Sequence, residues 1–167
     1  MTLVAILFLL FMIMGMPGLQ IEFPHILGAE GSGIVREVGK NVFDIKHGDR
    51  VTINPGQSCM KCTACLSGEH SLCKRFTIKG EHHQGTIAEY FSIPATNVIK
   101  VPERFPLKEA AAAPLAYLTA WRMLSTKGNV KPTDIVFIHG CGGGVSLCAL
   151  QIAKLFGATV GVLAIRK

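Results

Sequence analysis

The sequence predicts a mixed fold: a β-rich part carrying a cysteine-built lobe, followed by the opening of an α/β part. Three observations carry that expectation. Short β-rich runs closed by turn residues follow Glu22, four of the six cysteines crowd between positions 59 and 73, and a strand, a glycine loop, a helix and a second strand follow one another from Ile135. At ~150 residues per domain, the 167 residues amount to one domain or slightly more, enough to bury a real core. Apolar residues make up 49% and charged residues only 17%, with 17 Lys and Arg against 11 Asp and Glu for a net +6. That basic excess suits anionic ligands, but no Lys/Arg block or aromatic-basic stripe is present to follow nucleic acid. The 18 Gly and 8 Pro are scattered, which excludes collagen and a disordered tail.

In order along the chain, no charge appears before Glu22, and residues 3–16 are apolar throughout until Pro17-Gly18. This stretch is shorter than the ~20 apolar residues of a spanning helix. No positive charge precedes it, and Gly15-Met16-Pro17 is a poor cleavage site for a secretory signal. It reads as an uncleaved anchor or degenerate signal, as a buried strand or helix, or as a segment foreign to the rest. The expected location is cytoplasmic, with membrane attachment left open for residues 3–16 alone. Strands are expected at 33–38, 50–53, 86–93 and 98–101. Residues 110–125 read as helix, with Pro114 at a boundary or kink. After the turn Lys131-Pro132-Thr133-Asp134 come a short buried-type parallel strand at 135–138, a loop at 140–144, a helix over 145–156 closed by Gly157, and a strand over 158–165.

Cys59, Cys62, Cys65 and Cys73 form the pattern C-x2-C-x2-C-x7-C. Cysteines separated by two residues turn both sulfurs toward one ion through a tight knuckle. Four thiolates complete a tetrahedron around Zn2+ with no open position, which makes such a site structural. Lys61, Lys74 and Arg75 offset the negative charge of that set. A bacterial ferredoxin site starts the same way but closes after three residues with Cys-Pro, whereas here the gap is seven and Lys74 follows Cys73. Two disulfides would need an oxidising compartment. The expectation is one structural zinc per chain. Cys141 and Cys148 read as small buried residues.

The run from Val136 through His139, Gly140, Cys141, Gly142, Gly143, Gly144 and Val145 to Ser146 reads as strand, glycine loop and helix start. Glycines there allow a tight turn and a close approach of backbone N–H groups to a pyrophosphate. The last glycine of a G-x-G-x-x-G fingerprint is replaced by Val145 or Ser146, so the match is imperfect. No acid stands about 20 residues on, where NAD binding wants one. Instead the chain closes with Arg166-Lys167, which either meet a 2′-phosphate, favouring NADP, or are a frayed basic terminus.

These residues, with Pro24-His25-Ile26-Leu27-Gly28-Ala29-Glu30-Gly31-Ser32-Gly33, Gly48-Asp49-Arg50-Val51, Gly85-Thr86-Ile87-Ala88-Glu89-Tyr90 and Leu118-Thr119-Ala120-Trp121, resemble the medium-chain dehydrogenase/reductase superfamily, the zinc-type alcohol dehydrogenase and quinone reductase group. The motifs stand in family order from about residue 15 onward. The resemblance implies an apolar leader at 1–16 that is not family-like, a partial GroES-like β domain at 17–106 with its zinc lobe at 54–75, and linking helices plus the first β-α-β of a Rossmann domain at 107–167. It implies that Cys59, Cys62, Cys65 and Cys73 are the structural zinc ligands. It also implies that Gly140, Gly142, Gly143, Gly144, Val145 and Thr119 meet NADP(H) or NAD(H).

The departures are informative. The family's Gly-His-Glu reads Gly28-Ala29-Glu30, and no Cys precedes Thr119-Ala120, so two catalytic-zinc ligands are missing. The catalytic residues stay unassigned: His25 reads as a loop or packing residue, and His82 and His83 as solvated loop residues or pocket-facing ones. Members without that zinc transfer hydride from NADPH to quinones, enones or aldehydes. The resemblance therefore implies a small-molecule oxidoreductase, self-associating in its full-length form and truncated here at both ends with impaired activity. The alternative is a non-catalytic zinc-binding fragment tethered by its leader.

Overall fold

The computed structural model describes residues 21–163, so the apolar stretch 3–16 and the pair Arg166-Lys167 lie outside the described residues. The fold divides after Ala111 into two compact units. Among the described residues, no helix is long and apolar enough to cross a membrane.

The first unit is built on an antiparallel sheet of β1 (Ser32–Ile34), β2 (Arg50–Ile53) and β5 (Val98–Lys100), with β2 in the centre. Val51, Thr52 and Ile53 are buried in succession, so β2 is covered on both faces. The Thr52 hydroxyl lies 2.8 Å from the Ala110 carbonyl of α2 (Leu107–Ala112), and Ser32 donates to the Leu107 carbonyl at 2.6 Å. These contacts hold the short helix against the sheet. The strand expected over 33–38 shrinks to β1, and the one expected over 86–93 is absent. Backbone N–H groups of Gly85, Thr86 and Ile87 go to the carbonyls of Ile26, Gly28 and Leu27, three in a row, where a pleated ladder would use alternate residues. This close approach needs glycine: a Cβ on Gly80 (φ +84°) would lie 2.3 Å from the Gly28 oxygen, and one on Gly85 would lie 2.2 Å from the Leu27 oxygen.

The cysteine lobe leaves the sheet through β3 (Gly56–Gln57) and returns through β4 (Thr77–Ile78), an antiparallel pair absent from the sequence expectation. Buried Asn97 fastens its base. Its Nδ2 donates to the carbonyls of Asn54 at 2.8 Å and Gly56 at 2.7 Å, while Asn54 N–H donates to the Asn97 carbonyl at 2.8 Å. Inside the lobe, α1 (Thr63–Leu66) and a 3-10 turn (His70–Leu72) are the only helical pieces.

The second unit opens with α3 (Pro114–Trp121). Pro114 has no N–H to continue the ladder of α2, so the expected helix over 110–125 is broken there. It ends in a six-residue π-helical stretch, Arg122–Lys127, closed by Gly128, whose N–H reaches the Met123 carbonyl. Next, β6 (Ile135–His139) pairs in parallel with β7 (Thr159–Leu163), joined by α4 (Gly144–Leu155). Cys148, Ala149, Ile152 and Ala153 form a buried stripe at helical spacing against Ala120, Leu124 and Ile138. Gly157 (φ +79°) ends α4: its N–H bonds to Lys154 and that of Ala158 to Ala153, the paired bonds of a Schellman motif. On the sheet face turned from α4, Ile135 and Phe137 remain 80% and 61% exposed.

Two substitutions test this account. Asn97→Ala strands the Asn54 and Gly56 carbonyls and should lower unfolding free energy by ~2 kcal/mol in urea titration. Met60 holds a left-handed φ of +58° within the first cysteine knuckle. Met60→Gly should relieve up to ~1 kcal/mol and raise the melting temperature.

Candidate functional site

The lobe brings the four predicted cysteines together. The sulfurs of Cys59, Cys62, Cys65 and Cys73 all lie within 4.8 Å of one another. Cys62 Sγ is 3.5 Å and Cys59 Sγ 3.8 Å from Cys65 Sγ. A tetrahedron with metal–sulfur bonds of ~2.3 Å has edges of ~3.8 Å, so the set fits such an ion. All six cysteines stand as free thiols in the structure. Cys65 and Cys73 are buried, and Cys59 and Cys62 half-buried.

Electrostatics favour loss of protons from two of them. The Lys61 backbone N–H, with help from Cys62 N–H and the Arg75 side chain, brings Cys59 down to about 7. The Ser58 hydroxyl, followed by the Cys62 thiol and the His70 ring, brings Cys65 down to about 5. Ser58 Oγ also meets His70 Nδ1 at 3.1 Å, so the two brace each other beside Cys65. At Cys62 the backbone N–H of Cys65 favours the thiolate, but hydrogen bonds with the neighbouring thiols and burial outweigh it and push the group up to about 11. One proton is thus held back among thiols that a cation would displace. The supporting roles of Ser58 and His70 were not predicted, because a serine and a histidine in a polar loop carry no spacing signal.

In the second unit the glycine loop joins β6 to α4. Gly140 has φ +70°, its N–H bonds to the Leu163 carbonyl at 3.0 Å, and Gly143 N–H bonds to the Gly140 carbonyl at 3.2 Å. Gly143 is the N-cap of α4 with no side-chain cap, which leaves the first helical N–H groups, starting at Gly144 and Val145, free to face a ligand. A Cβ on Gly140 or Gly142 would meet nothing within 4 Å, so the space beside the loop is open. Cys141 is half-buried rather than buried, packed on the edge of the core. Thr119, on α3, spends its hydroxyl on the Leu115 carbonyl at 2.8 Å, a bond within its own helix.

The histidines serve the loops around Gly28. His25 Nε2 lies 3.1 Å from the Gly80 carbonyl, His82 Nδ1 accepts the Ile78 N–H at 3.2 Å, and His83 Nε2 lies 3.0 Å from Thr77 Oγ1. All three line an open groove of about 1120 Å³ in the first unit. Lys79 also lines it and is only 5% exposed. Nothing in Thr77-Ile78-Lys79-Gly80 marks that lysine as buried from sequence.

Residues 10–103 match the alcohol dehydrogenase GroES-like domain family, more than half of the chain. Among relatives, a probable D-xylulose reductase A of Aspergillus clavatus is 33% identical over 141 residues, which are 83% of this chain and 38% of that protein. Among solved structures, an NAD-dependent alcohol dehydrogenase is 49% identical with a TM-score of 0.84, over 87% of this chain and 43% of that one. A cobalt- and zinc-bound thermostable alcohol dehydrogenase from Pyrobaculum aerophilum is 37% identical with a TM-score of 0.81, over 87% and 44%. The chain therefore spans about 40% of the length of the proteins it matches. That match, together with the four-thiol lobe rooted on the antiparallel sheet, places the chain in the zinc-type medium-chain dehydrogenase/reductase superfamily as a bearer of its alcohol dehydrogenase GroES-like domain.

Proposed function

We propose that the chain serves an oxidoreductase that moves hydride between NAD(P)H and a carbonyl, enone or quinone, with one structural zinc and no catalytic zinc. The observation that carries this reading is the presence, in one chain, of the four-thiol cluster and a parallel strand–glycine loop–helix–strand unit. Cys59, Cys62, Cys65 and Cys73 would hold the zinc. With four thiolates no coordination position stays open, so the ion's part is to stabilise the lobe. The zinc in the Pyrobaculum aerophilum enzyme and the NAD dependence of the other solved relative support both groups here.

At the cofactor loop, the bare Gly140 and Gly142 leave room for a pyrophosphate, and the Gly144 and Val145 N–H groups offer it hydrogen bonds along the helix axis. Thr119 would donate to a phosphate only by giving up its bond to Leu115. When bound, the nicotinamide supplies the hydride, and the protein orients it and excludes water. Ala29 stands where the family pattern has histidine and brings no ligand atom. Polarisation of the acceptor by a metal at that position is therefore lost, which suits conjugated acceptors whose charge spreads over the molecule.

Metal analysis of the purified chain should find about one zinc per chain. Because the Cys59 and Cys65 thiolates are favoured below their ordinary pKa, the stability they contribute is complete above pH 9 and is lost as pH falls through about 7 and then about 5. Zinc should accordingly stay bound at pH 8 and leave by pH 5. For the cofactor, millimolar NADH or NADPH should raise the melting temperature. A Cβ at Gly142 meets no protein atom within 4 Å, so Gly142→Ala should fold as wild type and reduce that shift. A fully folded chain that responds to neither nucleotide sinks the hydride reading.

A further inference from the structure

We propose that the groove of the first unit is a binding site for a carboxylate-bearing small molecule, anchored by the ammonium of Lys79. The inference goes beyond the oxidoreductase reading and needs nothing from it. The binding itself rests on the groove.

Lys79 is the oddity there. As a residue it is 5% exposed, and among the described residues its ammonium makes no ion pair or hydrogen bond. The ammonium stands over the Phe91 ring, whose centroid lies 5.9 Å from Nζ. A lysine is almost never buried without a partner, since its charge is costly to strip of water. Burial accordingly lowers its pKa. The groove's carboxylates do not fill the vacancy. Neither Glu81 nor Glu22 lies within ion-pair distance of Lys79.

The other basic side chains of the groove are engaged. His25, His82 and His83 each hold a loop atom through one ring nitrogen, as described above. Among the described residues that line the groove, Lys79 is thus the basic one whose side chain has no hydrogen bond or ion pair. A single ammonium with no arginine beside it suits a monoanion, whereas phosphate draws several donors or a guanidinium fork. Ile21, Phe23, Ile93 and Pro94 add apolar surface to the same groove, which favours a carboxylate on an apolar or unsaturated body.

The test uses the whole zinc-loaded chain without nicotinamide, so that its failure leaves the cofactor reading untouched. Benzoate and its neutral isostere benzamide are titrated by calorimetry at pH 7. Benzoate should bind at least tenfold more tightly than benzamide. Lys79→Met should lose that preference while melting at or above the wild-type temperature, because it removes a desolvated charge. Equal binding of the two probes to wild type, or a preference that survives Lys79→Met, overturns the proposal. Should Lys79→Met fail to fold, acetylation of Lys79 by acetic anhydride in the wild type, read by peptide mass spectrometry, decides: protection by benzoate and none by benzamide supports the site, and equal labelling overturns it.

Discussion

Four sulfurs drawn within 4.8 Å of one another are the constraint on which the first unit's architecture turns. The lobe has two-residue strands, a single turn of α-helix and a 3-10 turn, and its buried apolar side chains are the cysteines Cys65 and Cys73 themselves. So little apolar burial does not order a segment of this length against chain entropy. Convergent thiols, braced by backbone N–H groups, Ser58 and His70, supply what a core would supply elsewhere. Asn97 then transmits that order to the sheet, since it ties the outgoing strand of the lobe to the segment leading into β5.

The second unit reaches order by the opposite route. A stripe of small and branched residues on α4 meets Ala120, Leu124 and Ile138, with Trp121 edge-on to Phe156 at 5.3 Å. No metal or side-chain cap is needed. Its glycine loop stays open because rigid elements on both sides, β6 and α4, hold it by backbone bonds alone.

Legibility in the sequence follows this division. Covalently repetitive signals were readable: the cysteine spacing located the cluster, and the apolar run 135–138 with Gly140 to Gly144 located the β6–α4 turn. Signals that depend on partners far away in sequence were not. Residues 86–93 alternate like a strand but spend their first N–H groups on Leu27 and Gly28, some 60 residues earlier. The β3–β4 pair is only two residues long on each side, too short for periodicity to show. Lys79 resembles a surface lysine in sequence and is buried by loops that only the close approach of Gly28, Gly80 and Gly85 brings together.

The outer face of the β6–β7 pair carries a thermal consequence. Ile135 and Phe137 meet water on that side, and covering them would lower the heat capacity of the system, as apolar burial does. Contact made through this face would be driven by entropy near room temperature and weaken on cooling. Whatever comes to rest there is therefore held more loosely in the cold, whereas the cysteine lobe, which buries so little apolar surface, does not share that dependence.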